Sequence, residues 1–580
     1  MILQALAGYY RRMAEENGND IATEGFEKKG IPFVIVLDAD GNFVGLDDTR
    51  EGEGKKKVAR IFTVPKGVKK TSGVAANLLW DTPAYVVGRP KPDPQKDKVE
   101  LEERAKKQFQ CFLDKLRASF PEVGRDEGVA AVLCFLDAGR FESLFVHSAW
   151  KEIEETGATL SFRLRTDTCL VCQRPAVIAG LTSDVAVENP ADSHQTCLVS
   201  GQPDEPSRLH TSIKGVWGAQ TSGANIVSFN LDAFRSFGKE QGLNAPVGKK
   251  AEFAYTTALN SMLVKGSRQR LQTGDATTVF WAEKKNDLED VFADIFGEPA
   301  KENSEQATQA IRILYEAPKA GALPLTKDYT PFYVLGLAPN AARIAVRFWH
   351  AGTVADTALH IRQHFDDCAM VHGPKQPPYL SLFRMLVSTA TQGKSENIPP
   401  NLGGEFMKAI LTGAPYPQTL LGAAIRRCRA GREITYPRAA LIKAVLARAA
   451  RFYQQPEKEV GEKMDKDNIN IGYRLGRLFA TLEKIQEEAS PGINATIRDR
   501  FYGAASGTPV AAFPHLMKLK NHHLAKLESR GRAVNLEKII TEIMGGISDF
   551  PTNLSLQDQG RFAVGYYHQR QDFFTKHENN

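Results

Sequence analysis

Cys169-Leu-Val-Cys172 has the spacing of a zinc knuckle. Twenty-five positions after Cys172, Cys197-Leu-Val-Ser200-Gly201 repeats the form with serine where the last ligand would stand. A tetrahedral Zn²⁺ site takes four nitrogen or sulfur ligands. Three cysteines fall one short, and His194 or His210 could supply the fourth. On spacing alone the segment reads as a ribbon-shaped loop that no longer holds metal, so the expected cofactor is none. A zinc-dependent nucleic-acid-processing enzyme built on Cys169, Cys172 and Cys197 is kept as the alternative.

Other catalytic signatures are missing from the sequence. It has no GxxxxGK[ST] phosphate loop, no GxSxG elbow and no HExxH pair. His364 and Asp366-Asp367 stand close together in IRQHFDDCAM, but neighbours at i, i+2 do not share a helix face. That run reads as a solvated acidic helix end.

A second chemistry is phosphate and groove contact. Between Arg50 and Lys70 the chain carries Arg50, Lys55, Lys56, Lys57, Arg60, Lys66, Lys69 and Lys70 against only Glu51 and Glu53. That local excess of +6 equals the formal net charge of the whole chain, 74 basic residues less 68 acidic. The stretch ends in Thr71-Ser72-Gly73-Val74-Ala75-Ala76-Asn77. A second loop of similar character, Gly218-Ala219-Gln220-Thr221-Ser222-Gly223-Ala224-Asn225, follows Lys214 and Trp217. Lysines neutralise phosphates, while glycines with small donors and acceptors suit the narrow minor groove. The plainer reading of each loop is a solvated surface turn. Arginines and lysines of the C-terminal helices, Arg474 and Arg477 among them, mix with glutamates and read as a solvated face.

The elements that must position these loops show in the hydrophobic periodicity. Residues 31–47 read as a hairpin turning at Asp40-Gly41, where both turn positions favour positive φ. Leu101, Phe109, Phe112, Leu113 and Leu116 mark a helix face over 100–118. Residues 158–165, 275–283 and 329–349 read as strands, the last two-stranded about Pro339-Asn340, and 213–230 as a Gly/Ser-rich loop running into strand-like text. Helices are expected over 248–264 and, in pairs, over 286–316. Beyond about residue 354 strand signals fade, and eight helical patterns from 354 to 545 predict helix-on-helix packing. The fold class expected is α+β: a mixed α/β N-terminal region with antiparallel sheet and hairpins, then a C-terminal all-α helical bundle. The expected domains are 1–99 (basic, β-rich), 100–353 (α+β, with the ribbon-like insertion near 169–201), 354–463 (helical) and 464–580 (a helical bundle).

Composition narrows the setting. At 580 residues, 42% hydrophobic and 24% charged, the chain matches an average folded protein of several domains. No apolar run is long enough to span a membrane. Ile2, Leu3, Leu6, Tyr9, Tyr10 and Met13 recur at helical spacing without a basic leader, so the start reads as a packed amphipathic helix. Seven scattered cysteines make no disulfide framework, and a reducing cytoplasm is the expected compartment.

Five segments together resemble one family: MILQALAGYY at the start, TSGVAANLLWDTPAYVVG at 71–88, IKGVWGAQTSGANIVSFN at 213–230, NAPVGKKAEFAYTTALN at 244–260 and VLGLAPNAARIAVRFW at 334–349. They are similar to the large subunit of the subtype I-C CRISPR surveillance complex (Cascade), and the similarity runs through essentially the whole chain. The resemblance implies a non-catalytic subunit that reads the protospacer-adjacent motif in double-stranded DNA and promotes opening and R-loop formation. It would also offer a platform to a recruited nuclease-helicase, base pairing with the guide RNA carrying most sequence recognition. Implied partners are the guide RNA, the target duplex, and the backbone and RNA-processing subunits of the complex. The resemblance also directs attention to Lys69, Lys70, Thr71, Ser72, Gly73 and Asn77 in the first loop, and to Lys214, Gln220, Ser222 and Asn225 in the second. Lys55, Lys56, Lys57, Arg60 and Lys66 would hold phosphates.

The family in some systems makes a small subunit from an internal start. Here Gly461-Glu462-Lys463 precedes Met464, and Gly-Glu can be encoded by a purine-rich ribosome-binding sequence. A product from Met464 to Asn580 has 580 − 464 + 1 = 117 residues and begins just before a helical pattern.

Overall fold

The hairpin at Asp40-Gly41 forms, but with a single positive φ, at Gly41 (80°). Asp38 closes the turn by accepting from the backbone N–H of Asn42 at 2.8 Å. A Cβ at position 41 would lie 2.6 Å from the carbonyl of Ala131, so the turn also needs glycine for close approach.

The computed structural model describes residues 1–16, 21–52, 57–68, 70, 73–122, 126–184, 195–297, 306–314, 325–455 and 460–574. The chain divides into two compact units, one built chiefly from Leu3–Leu209 and Phe229–Ala258, the other from His210–Ser228 and Leu259–Asn580.

The first unit opens with α1 (Ile2–Glu16), whose Leu6 and Tyr9 are buried as an amphipathic helix requires. Strands β1 (Phe26–Gly30), β2 (Phe33–Leu37), β3 (Phe43–Asp48), β4 (Arg50–Glu51), β5 (Val58–Ala59), β6 (Ile61–Pro65) and β7 (Trp80–Asp81) follow. Then come α2 (Pro83–Val86), α3 (Lys98–Ser119), α4 (Glu127–Ala138), α5 (Glu142–Phe145), α6 (Trp150–Thr156), β8 (Leu160–Leu164), α7 (Pro175–Asp184), β9 (Gln195–Thr196), β10 (Pro203–Asp204) and α8 (Lys249–Met262), whose last turn from Leu259 belongs to the second unit. The central sheet has the order β3-β2-β8-β7. β2 and β8 run parallel, Phe33 beside Leu160 through Leu37 beside Leu164, within an otherwise antiparallel sheet. A parallel pair needs a long crossover, and α2 to α6 supply it. Every residue of β2 is buried, which is why FVIVL reads as a continuous apolar run. Phe112 and Leu116 of α3 and Val132 and Phe135 of α4 pack on that core. The basic stretch holds short strands: β6 pairs with β1 from Phe26–Pro65 to Gly30–Ile61, and β4 with β5.

The second unit carries an antiparallel sheet of β11 (Arg270–Thr273), β12 (Ala276–Ala282), β13 (Pro331–Asn340) and β14 (Arg343–Thr353), hydrogen-bonded in that order. Helices α9 (Asp287–Phe296) and α10 (Gln306–Ile313) lie between β12 and β13 in the chain. Helices α11 (Val354–Cys368), α12 (Leu382–Thr389), α13 (Leu402–Thr412), α14 (Gln418–Gly431) and α15 (Tyr436–Phe452) come next. They are followed by α16 (Ile471–Ala489), α17 (Ile497–Gly507), α18 (Pro509–Ala525), α19 (Arg530–Met544) and α20 (Leu556–Asp572). Among the described residues no strand follows Thr353. The protein is α+β, with its sheets in the N-terminal part and a helical C-terminal part. Among the described residues no helix is long and apolar enough to cross a membrane.

Two expectations change. Asp367 is buried rather than solvated: Arg448 Nε sits 2.7 Å from its carboxylate and Arg451 closes the other side. A buried carboxylate needs such partners. His364 beside it is buried too, its Nδ1 2.7 Å from the Tyr416 hydroxyl, and burial holds it neutral, well below its usual range. Arg477 is likewise buried, bonded to Gln569 at 3.0 Å and Glu542 at 2.8 Å.

Candidate nucleic-acid interface

The ribbon β1–β6 delivers the chain into the first loop, where the backbone N–H of Lys66 bonds the Gly25 carbonyl at 2.8 Å. The return is organised by Asp81 on β7. Its carboxylate accepts from the Lys70 ammonium at 2.7 Å, from the Asn77 N–H at 2.9 Å and from the Thr82 N–H at 2.8 Å. Asn77 is only 5% exposed, and its Oδ1 accepts from the Val68 N–H at 2.9 Å across the mouth of the loop. Lys115 of α3 donates to the Ala76 carbonyl at 2.7 Å, and burial draws its pKa down. Trp80 Nε1 donates to the Pro65 carbonyl at 2.8 Å. Lys70 also lies 3.6 Å from the centroid of the Tyr85 ring. Thus the Lys70 ammonium and the Asn77 Oδ1, both on residues marked as readers, are engaged by the loop's own frame. Gly73 and Val74 are exposed at its tip. Lys69, Thr71 and Ser72 lie outside the described residues, as do Lys55 and Lys56.

Among the described residues, most of the positive charge of the basic stretch is offset in space. Arg50 is chelated by Asp48 and Glu152, which draws the Asp48 carboxyl down to about 2. Lys57 lies 3.6 Å from Asp48, and Lys66 lies 3.6 Å from Glu252 of α8. Arg60 stacks on Phe62, 5.4 Å from the ring centroid. Four of the five described cations in the stretch therefore have carboxylate partners, three of which lie at or beyond Asp81. Exposed pairs such as Lys57–Asp48 contribute about 0–1 kcal/mol and can exchange a carboxylate for a phosphate. Lys70–Asp81, with Asp81 buried, is the firmer one.

The second loop is built the opposite way, with its backbone fixed and its side chains outward. Ile213 and Ala224 form a two-bond bridge at 2.8 and 2.9 Å across its base. Asn260 of α8 accepts from the Lys214 N–H at 2.8 Å and donates to the Ser212 carbonyl at 3.2 Å. The Trp217 N–H donates to Thr277 of β12 at 2.9 Å. Asn225 belongs to this frame: its Nδ2 donates to the His210 carbonyl at 2.7 Å, and its own carbonyl accepts from Ile344 at 3.0 Å. Lys214, Gln220, Thr221 and Ser222 are exposed. Among the described residues no carboxylate pairs with Lys214.

Cys172 and Cys197 stand in separate environments. Cys172 is sealed in the core of the first unit, donates weakly to the Thr63 carbonyl at 3.9 Å, and is pushed up to about 12 by burial. Cys197 packs with Val247 and Ala251. Burial raises its pKa, but donation from Ser200, Gly248 and Val199 outweighs this and leaves it lowered. The Val199, Ser200 and Gly248 N–H groups lie 3.4, 3.4 and 3.2 Å from its sulfur, the hydrogen-bond pattern of a knuckle. Among the described residues no three His, Cys, Asp or Glu side chains converge as a metal site. His194 lies outside the described residues.

Sequence reading missed Asp81, Lys115, Asn260 and Thr277, the residues that hold the loops. Asp81 had a signal, since it ends the small-residue run directly before a Thr-Pro helix start. The others come from distant elements and left none.

Comparison with known proteins adds the family. No curated protein matches the sequence. A family model described as "CRISPR-associated protein" Csd1 matches residues 6–574, nearly the full length. The chain therefore belongs to the Csd1 family of CRISPR-associated proteins.

Proposed function

We propose that this chain is the non-catalytic large subunit of an RNA-guided surveillance complex, where it reads the protospacer-adjacent motif of duplex DNA and promotes its opening. In this reading it works beside the guide RNA and the backbone and RNA-processing subunits, and presents a platform to a recruited nuclease-helicase. Family membership supports the setting. The observation that carries the reading is the second loop: a backbone tied down at Asn225, Asn260 and Thr277, presenting Lys214, Gln220 and Ser222 to solvent. An amide, a hydroxyl and a cation on a glycine-rich turn match the acceptors and the single guanine donor of a minor groove. In the first loop Lys70 and Asn77 act by shaping, and the tip around Gly73 makes the approach. Lys57, Arg60 and Lys66 hold phosphates: Lys57 trades the part-exposed Asp48 for the backbone, Lys66 turns out from the buried Glu252, and Arg60 lifts from Phe62.

The test is binding of the assembled complex to duplexes with matched and scrambled motifs. Gln220→Ala is expected to lower the preference for the matched motif roughly 5- to 150-fold, the range of about 1–3 kcal/mol per base contact. Lys57→Ala weakens both duplexes alike and reduces the salt slope by about 1. Equal losses on both duplexes from Gln220→Ala would remove the reading role.

A further inference from the structure

The chain has five tryptophans. Trp80, Trp150 and Trp281 are buried, and Trp349 lies flat on Tyr333, ring centroids 5.5 Å apart at 8°. Trp217 is 61% exposed. Other aromatics, Phe237, Tyr329 and Tyr453 among them, are at least as exposed, so it is the setting of Trp217 and not exposure alone that marks it.

The backbone that carries it is held on both sides. Val216, just before it, is buried, and the Trp217 N–H is bonded to Thr277. Gly215 and Gly218 flank it, both at positive φ (86° and 77°). A Cβ at position 215 would lie 2.5 Å from the Leu263 carbonyl, and one at 218 would lie 3.3 Å from Pro339. These glycines let the turn lie directly on the chain after α8 and on β13. The indole is therefore presented from a fixed base, with little entropy left to lose on binding.

Its neighbours select the kind of occupant. Lys214, Gln220, Thr221 and Ser222 on the same turn are all exposed and polar. An apolar protein anchor would need an apolar surround. A flat π surface beside a cation, an amide and hydroxyls matches a nucleobase and its phosphodiester. A base inside a duplex is already stacked on both faces, so the indole can only serve one that has left its stack.

We propose that Trp217 is a base-stacking residue for an unpaired nucleotide, a contact made after a duplex has opened rather than while it is read. The assignment of that nucleotide to target DNA rests on the function proposed above; the stacking itself does not.

Full-length chain is titrated with a single-stranded oligodeoxyadenylate and with a closed hairpin duplex, following intrinsic tryptophan fluorescence and affinity. Single strand is expected to quench the emission, and Trp217→Phe to abolish most of that quenching while keeping affinity. Trp217→Ala should weaken single-strand binding roughly 5- to 150-fold, the worth of one base–aromatic stack, and leave the duplex unchanged. In the assembled complex, 2-aminopurine placed in turn in the DNA and in the guide RNA shows which strand supplies the base. The proposal is overturned if Trp217→Ala changes both affinities alike or neither. It is also overturned if the variant sheds a protein subunit while still binding single strand, which makes the indole a protein contact. Stacking that survives in a complex without motif preference would instead overturn the function proposed above.

Discussion

The Lys70 ammonium lies 2.7 Å from both carboxylate oxygens of Asp81, and the same carboxylate also accepts from the Asn77 and Thr82 backbone. One buried acid thus gathers both ends of the first loop. Removing the charge but not the shape separates loop geometry from loop charge. Asp81→Asn is expected to keep the fold, at a loss of about 1–3 kcal/mol for the weakened bonds. It frees Lys70 for phosphate, so binding to scrambled duplex should tighten and its salt slope steepen by about 1, while motif preference falls. A variant that loses both specific and general binding, with unchanged circular dichroism, would show that Lys70 is not held back by Asp81.

A second prediction concerns the bundle. Gly476 of α16 faces α20 so closely that a Cβ there would sit 2.0 Å from the Phe562 carbonyl. Gly472 and Gly565 make similar approaches, 2.4 Å to Asp558 and 2.2 Å to Tyr473. Gly476→Ala forces the helices apart and should lower unfolding stability by roughly 1–3 kcal/mol. Gly503→Ala in α17, where a Cβ meets nothing within 4 Å, should leave stability equal or higher. Urea midpoints of the two variants compare them directly, and equal shifts would refute the packing account.

The same helices show what was legible in the sequence. Patterns dominated by leucine and alanine, as in α15, announced themselves by period. α20 did not, because every residue from Gly560 to Gln569 is buried, polar ones included, so no apolar stripe alternates with a polar face. Its stability comes from close backbone approach to α16, a tertiary property. α17 was missed too, with glycine and charge along its short length. The candidate loops were legible as loops, since glycines and small polar residues mark turns directly. Their internal wiring was not. Nothing near Lys66 or Arg50 in the chain points to Glu252 or Glu152, so in a stretch that counts as +6 in sequence most of the described cations are paired in space.

The third prediction is a pH dependence. His568 sits between the Tyr473 hydroxyl, 2.8 Å from Nδ1, and the Glu462 carbonyl, 3.1 Å from Nε2. Burial lowers its pKa to about 4, against the opposing pull of the Glu462 carbonyl. His350 is lowered to about 4 as well, chiefly by burial. The unfolded chain therefore binds more protons than the folded one between about pH 4 and 6.5. Stability from these sites is complete above pH 6.5 and falls as pH drops toward 4, by up to about 1.4 kcal/mol per site per pH unit. Urea midpoints at pH 7.5 and 5 should differ less in His568→Gln than in the parent. An unchanged pH slope would mean His568 is not the group responsible.

The last prediction joins the internal start proposed at Met464 to the packing of α20. Met464 stands in a non-helical stretch before α16, so a product beginning there keeps α16 to α20 intact. In the full chain, though, α20 packs so closely that a Cβ at Gly560 would lie 3.2–3.4 Å from Ile442, Leu421 and Leu446. Those three side chains belong to α14 and α15 and would be left behind. The separate product would then expose an apolar strip along α20 that only another chain can cover. Replacing the Met464 codon with one that cannot start translation should remove a small co-purifying protein and leave the full chain. The purified small protein should associate, with itself or with the complex, rather than run as a monomer. A small band that persists after the codon change rules out Met464. A soluble 464–580 monomer would show that the α20 strip needs no cover.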